Sequence, residues 1–81
     1  MEIKIFGSGC SKCQRLAANA QAAAERLRLD FTMTKVTDNG DIVDAGVLKT
    51  PALGIDDELK VMGRVPSPEE LERILGGAGD A

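Results

Sequence analysis

The chain opens on a strict alternation. Residues 2–6 read Glu-Ile-Lys-Ile-Phe, which sends Ile3 and Ile5 to one side and Lys4 and Phe6 to the other, the period-two signature of a strand. Gly7-Ser8-Gly9 breaks the run. Over residues 11–28 the period becomes helical: Cys13, Leu16, Ala17, Ala20, Ala24 and Leu27 share one face, leaving Ala18, Ala22 and Ala23 for the exposed side. Alanine is the best helix former, and its small side chain lets a helix lie close to a sheet. Residues 31–36 weave polar and apolar positions again and predict a second strand. Thr37-Asp38-Asn39-Gly40 reads as a turn, and residues 41–45 as a short helix with Gly46 at C′. Residues 52–55 and 58–62 flank Asp56-Asp57 as a β-hairpin that Gly63 closes, although neither central residue is the glycine such turns favour. Ser67-Pro68-Glu69-Glu70 starts a last helix, with Ser at N-cap, Pro at N1, Glu at N3 and an apolar stripe of Leu71, Ile74 and Leu75.

The order β-α-β-α-β-β-α predicts an α/β fold. A full-length helix between the first two strands makes them parallel neighbours joined by a right-handed crossover. The last two strands are expected to pair antiparallel, giving a four-stranded mixed sheet with helices on both faces. The domain is placed at residues 1–76, and residues 77–81, rich in glycine, are expected to fray as a disordered tail.

Composition removes several function classes. Phe6 and Phe31 are the only aromatics among 81 residues, so a base-stacking surface has almost nothing to build on. Net charge is −3 with acids and bases interspersed, which argues against a nucleic-acid partner. No apolar run is long enough to span a bilayer, and the alternating N-terminus lacks the apolar stretch of a signal peptide. The expectation is therefore a cytoplasmic protein with no membrane partner.

Both cysteines fall in one C-x-x-C, Cys10-Ser11-Lys12-Cys13, and the chain has no histidine. A disulfide framework needs more cysteines, so redox or metal chemistry is indicated. Disulfide exchange requires a thiolate. Cys10 stands where the first strand gives way to the first helix, so unpaired N–H groups and the positive helix end favour its anion, and Lys12 adds a positive charge nearby. Cys13, one turn later on the apolar face, is the more buried thiol. In this reading Cys10 attacks a substrate disulfide and Cys13 resolves the mixed disulfide. Two other readings remain open at this point. Two thiolates can hold Cu(I), although tetrahedral zinc wants four ligands, and the cysteines could merely pack.

The segment Gly7-Ser8-Gly9-Cys10-Ser11-Lys12-Cys13 after the first strand, Thr50-Pro51-Ala52 before the third and Gly63 after the hairpin resemble the thioredoxin superfamily, specifically its short prokaryotic redox-active disulfide proteins. The resemblance spans residues 2 to about 75. It implies a thioredoxin fold and a thiol–disulfide oxidoreductase whose redox group is the Cys10 and Cys13 pair, with no other cofactor and no metal. It further implies a cis bond before Pro51 beside the cysteines, and backbone groups of Thr50 that pair with the substrate chain. Taken alone, Pro51 also fits the trans start of an edge strand. Protein disulfide substrates, a thioredoxin-reductase-like electron donor and a monomeric state follow from the same resemblance. The sequence departs from the larger thioredoxins in three places. Gly9 replaces the aromatic before the motif, Ser11-Lys12 replaces Gly-Pro, and Lys4 stands six positions before Cys10, where they carry a buried acid. The paired glycines of glutaredoxins are missing, so glutathione dependence is not expected.

The alternative is a Cu(I)-binding metallochaperone-like domain, which also carries a C-x-x-C between first strand and first helix but follows the order β-α-β-β-α-β. The predicted short helix at 41–45, the C-terminal helix and Thr50-Pro51 favour the thioredoxin order. Lys4, Lys49 and Arg64 are candidates to ring the site and favour acidic partner surfaces, or are ordinary solvated charges. Met62 is expected to fill core space.

Overall fold

A computed structural model describes residues 1–9 and 11–79, the last three by backbone alone; Cys10, Asp80 and Ala81 lie outside the described residues. The elements run β1 (Glu2–Phe6), α1 (Ser11–Arg26), β2 (Thr32–Val36), α2 (Asn39–Asp44), β3 (Ala52–Ile55), β4 (Glu58–Met62) and α3 (Pro68–Gly79). The sheet order is β2-β1-β3-β4, with β1 parallel to β2 and antiparallel to β3, and β3 antiparallel to β4. The α/β architecture expected from the element order is thus the one observed.

Alternation along β1 builds two cores. Ile3 and Ile5 point to the face that α1 and α3 cover, where they meet Leu16, Leu53, Ile55, Val61, Leu71 and Leu75. Phe6 points to the other face and packs with Ile42 of α2, Val47 and Ala52. Helices therefore shield both faces, as a sheet buried on both sides requires.

Helix α1 stops at Arg26, two residues before the predicted end. Arg28 takes a left-handed conformation at φ 55°, and the N–H groups of Arg28 and Leu29 bond the carbonyls of Glu25 and Ala24. This is a Schellman closure made without its usual glycine, which is why the sequence pattern hides it. Ala23, expected on the exposed side, is fully buried, because α3 packs across α1 and widens its apolar face. Ala18 is exposed and Ala22 half-buried.

Helix α2 starts at Asn39 rather than 41, because Asp38 caps it: its Oδ1 accepts the Asp41 N–H at 3.0 Å. Gly46 follows at φ 82°, in the C′ position the sequence marks for it. The hairpin turn has Asp56 at φ 49° and Asp57 at φ 70°, so two aspartates adopt the left-handed pair that Asn-Gly normally supplies. Their side chains tie the turn to β1: Asp56 Oδ1 accepts the Glu2 N–H at 2.8 Å and Asp57 Oδ1 accepts from Lys4 Nζ at 3.1 Å.

Register slips between Leu53 and Gly54, where the partner jumps from Val61 to Leu59 and leaves Lys60 as the extra residue of a bulge. Val61 consequently joins the α1 core while Leu59 packs on the α2 side. Met62, expected to fill the core, is 38% exposed at the strand end.

Ser67 starts α3 as predicted, its Oγ accepting the Glu70 N–H at 3.2 Å. Ser67→Ala removes this cap and is expected to destabilise the protein by about 1 kcal/mol. A denaturant midpoint unchanged from wild type would show the cap to be idle. The helix continues to Gly79, into the segment expected to fray. The remainder of that segment, Asp80 and Ala81, lies outside the described residues. Among the described residues no helix is long and apolar enough to cross a membrane.

Candidate functional site

The site forms where β1 ends. The Gly7 N–H donates to the Val36 carbonyl at 3.0 Å, prolonging the β1–β2 ladder by one residue and pinning the backbone there. Gly7 is buried, and its missing side chain has a use. A Cβ at this position would overlap the Cys13 Sγ and would lie 3.3 Å from Cys13 Cβ and 3.8 Å from Thr50 Cβ. The Cys13 sulfur therefore rests against bare backbone, with Thr50 across from it.

Cys13 is 4% exposed, the third residue of α1 and the first of its buried face. Ser11 and Lys12 are exposed beside it. The loop before α1 turns at Gly9, with φ 88°, and is latched by Gln14, whose Nε2 donates to the Gly9 carbonyl at 2.9 Å. Cys10 belongs to the candidate pair but lies outside the described residues.

The Thr50-Pro51 peptide bond is cis. Pro51 is buried, and its carbonyl accepts the Gly63 N–H at 2.8 Å, tying the loop before β3 to the end of β4. Gly63 has φ 77°, and a Cβ there would come within 3.2 Å of Lys49 Cβ. Thus Gly7, Cys13, Thr50, Pro51 and Gly63 form one contiguous patch, although the chain brings them from its beginning, middle and end.

A cleft of about 90 Å³ opens beside Cys13, lined by Ile5, Gly7, Gly9, Gln14, Lys35 and Thr37 as well as the cysteine. Lys35 is a site residue that sequence reasoning missed. It pairs with Ile5 across the β1–β2 ladder, so its side chain emerges on the Ile5 side, next to Cys13. Only the parallel register reveals this.

The three basic residues singled out from the sequence behave differently. Lys4 is held by Asp57 at 3.1 Å and Glu2 at 3.8 Å, and the Asp57 hydrogen bond raises its pKa. Arg64 pairs with Glu70 at 2.6 Å, which raises the guanidinium's pKa and lowers the carboxyl's. Both are occupied with structural partners. Lys49, directly before Thr50 and packed beside Gly63, adjoins the site with no ion-pair partner among the described residues.

A family model described as a thioredoxin domain matches residues 1–76. A thioredoxin of Methanothermobacter thermautotrophicus is 44% identical over 75 residues, covering 93% of this chain and 97% of that one. A thioredoxin of Methanocaldococcus jannaschii is 40% identical over 73 residues, covering 90% of this chain and 84% of that one. The solved structure of thioredoxin 1 from Thermosipho africanus superposes with a TM-score of 0.65 at 21% identity, covering 99% of this chain and 96% of that one, a likeness of fold. The chain belongs to the thioredoxin domain family. Its function is, in the general sense, thioredoxin-like redox chemistry.

Proposed function

We propose that the protein is a thiol–disulfide oxidoreductase that exchanges electrons with protein disulfides through Cys10 and Cys13. The observation that carries this reading is the burial of the Cys13 sulfur against Gly7, facing Thr50 at the cis proline. A thiol placed so is screened from solvent and from bulky partners, yet open along a narrow cleft. That suits a resolving group, which must wait until a neighbouring sulfur is bonded and then attack it.

The exchange runs in two displacements. The Cys10 thiolate attacks one sulfur of a substrate disulfide; an S–S bond forms between protein and substrate as the substrate's own bond breaks, and one substrate thiolate leaves. The Cys13 thiolate then attacks Cys10, closing the internal disulfide and expelling the second substrate thiolate. Two electrons pass from the dithiol to the substrate, and a thioredoxin-reductase-like donor returns them. The start of α1 favours the Cys10 thiolate over the Cys13 thiolate, and Ser11 and Lys12, between the two cysteines, tune the pair, Lys12 by its positive charge. Backbone groups of Thr50, beside Pro51, align the substrate chain in strand-like fashion. The protein acts as a monomer in the cytoplasm, with the cysteine pair as its only redox group and with neither nucleic acid nor membrane as a partner.

Insulin reduction with dithiothreitol as electron source, set beside a Cu(I) titration, tests this. The expected result is catalysed precipitation of the insulin chains. Tight stoichiometric Cu(I) binding without catalysis would replace the reading with the metal-carrier one.

A further inference from the structure

Charge around the cysteine site runs against the sign of the whole chain, which carries a net −3. Lys12 is exposed on the first turn of α1, Lys35 lines the cleft from the end of β2, and Lys49 is exposed directly before Thr50. The fold gathers these three from distant parts of the sequence. None of them has an ion-pair partner among the described residues; Lys4, Arg26, Lys60 and Arg64 do, and the other unpaired cations, Arg15, Arg28 and Arg73, do not line the cleft. Lys35 is the only charged side chain among the described residues lining the cleft.

Acidic groups collect elsewhere. Asp41, Asp44, Asp57 and Glu58 line a separate groove of about 640 Å³ on the α2 side of the sheet. The acid nearest the cleft in sequence is Asp38, after Thr37, and its carboxylate is engaged in capping α2. Beside Lys49, Leu48 is 87% exposed and offers an apolar contact within the positive rim.

We infer that the disulfides this protein exchanges with are carried on acidic polypeptide segments, which the lysines at 12, 35 and 49 attract and orient over the cysteine site. The inference rests on the oxidoreductase reading above and names the class of its substrates. A rim of unpaired cations raises the encounter rate with an anionic segment and lowers it with a cationic one. The same rim stabilises the thiolates present at each displacement, but that effect is independent of substrate charge. Substrate charge is therefore the diagnostic variable.

The experiment uses three disulfide peptides with one common core, flanked by acidic, neutral or basic residues, reduced by the full chain with dithiothreitol as electron source. At low salt the acidic peptide is expected to react about tenfold or more faster than the basic one. At about 1 M salt, where the screening length falls to about 3 Å, the difference is expected to vanish. The double variant Lys35→Glu, Lys49→Glu is expected to reverse the order at low salt, and the wild-type comparison stands without it if that variant folds poorly. Equal wild-type rates for acidic and basic peptides overturn the inference and leave the oxidoreductase reading standing, as does a preference that survives high salt. Failure to reduce any of the three overturns that reading, and the inference with it.

Discussion

Cys10→Ser is expected to abolish disulfide exchange outright, while Cys13→Ser halts it midway with substrate covalently attached. The two variants differ because the proposed roles differ. Serine at position 10 cannot attack a disulfide, so no adduct forms. Serine at position 13 leaves the attack intact and removes the only thiol positioned to resolve it. The burial of Cys13 sharpens the contrast: at 4% exposure it is a poor first attacker even when it is the only cysteine left. Incubating each variant with cell extract and separating the products on non-reducing gels reads the outcome directly. Adducts are expected with Cys13→Ser alone, released by added thiol. Equal trapping by Cys10→Ser would show the roles to be misassigned.

Gly7→Ala is expected to be the most damaging single substitution in the site that leaves both cysteines in place. Its new methyl group would overlap the Cys13 sulfur, and the Gly7 N–H bond to Val36 keeps the backbone from backing away. Either the start of α1 or the end of β1 must move. Overpacking of this kind costs about 1–3 kcal/mol. The functional loss is expected to be larger in proportion, because a shift of about 1 Å in a reacting group can cost about 10²-fold in rate. Denaturant unfolding measures the first effect, and single-turnover resolution of a preformed mixed disulfide measures the second. Gly46→Ala is the control. It imposes backbone strain at φ 82°, costing about 1–2 kcal/mol, with nothing within 4 Å of the new methyl. If it slows resolution as much as Gly7→Ala does, the steric argument fails and general loss of stability is the cause.

Much of this was legible along the chain because local rules govern it. Alternation in residues 2–6 assigned Ile3 and Ile5 to one face of the sheet and Phe6 to the other, since a period of two fixes which side each residue takes. Ser67 and Gly46 marked helix ends because caps satisfy backbone groups within a turn of themselves. The cysteine pair and Thr50-Pro51 stood out by residue type and by their place relative to predicted elements. Local signals failed where another residue took over a familiar role. Arg28 closed α1 in place of glycine, and Asp56 and Asp57 turned the hairpin without one.

The sequence by itself determined the element order, the fold class it implies and most of the apolar face of α1, all consequences of spacing over a few residues. The tertiary structure decided what depends on neighbours remote in sequence. Ala23 is buried because α3 crosses α1, and Val61 and Leu59 face opposite cores because Lys60 bulges out of the β3–β4 pairing. Gly7 is small because Cys13 occupies the space its side chain would need, and Lys35 reaches the site because β2 pairs with β1 in one particular register. Burial, register and contact are properties of pairs of segments. No pattern within one segment encodes them, and they are what turn a cysteine motif into a shaped and charged site.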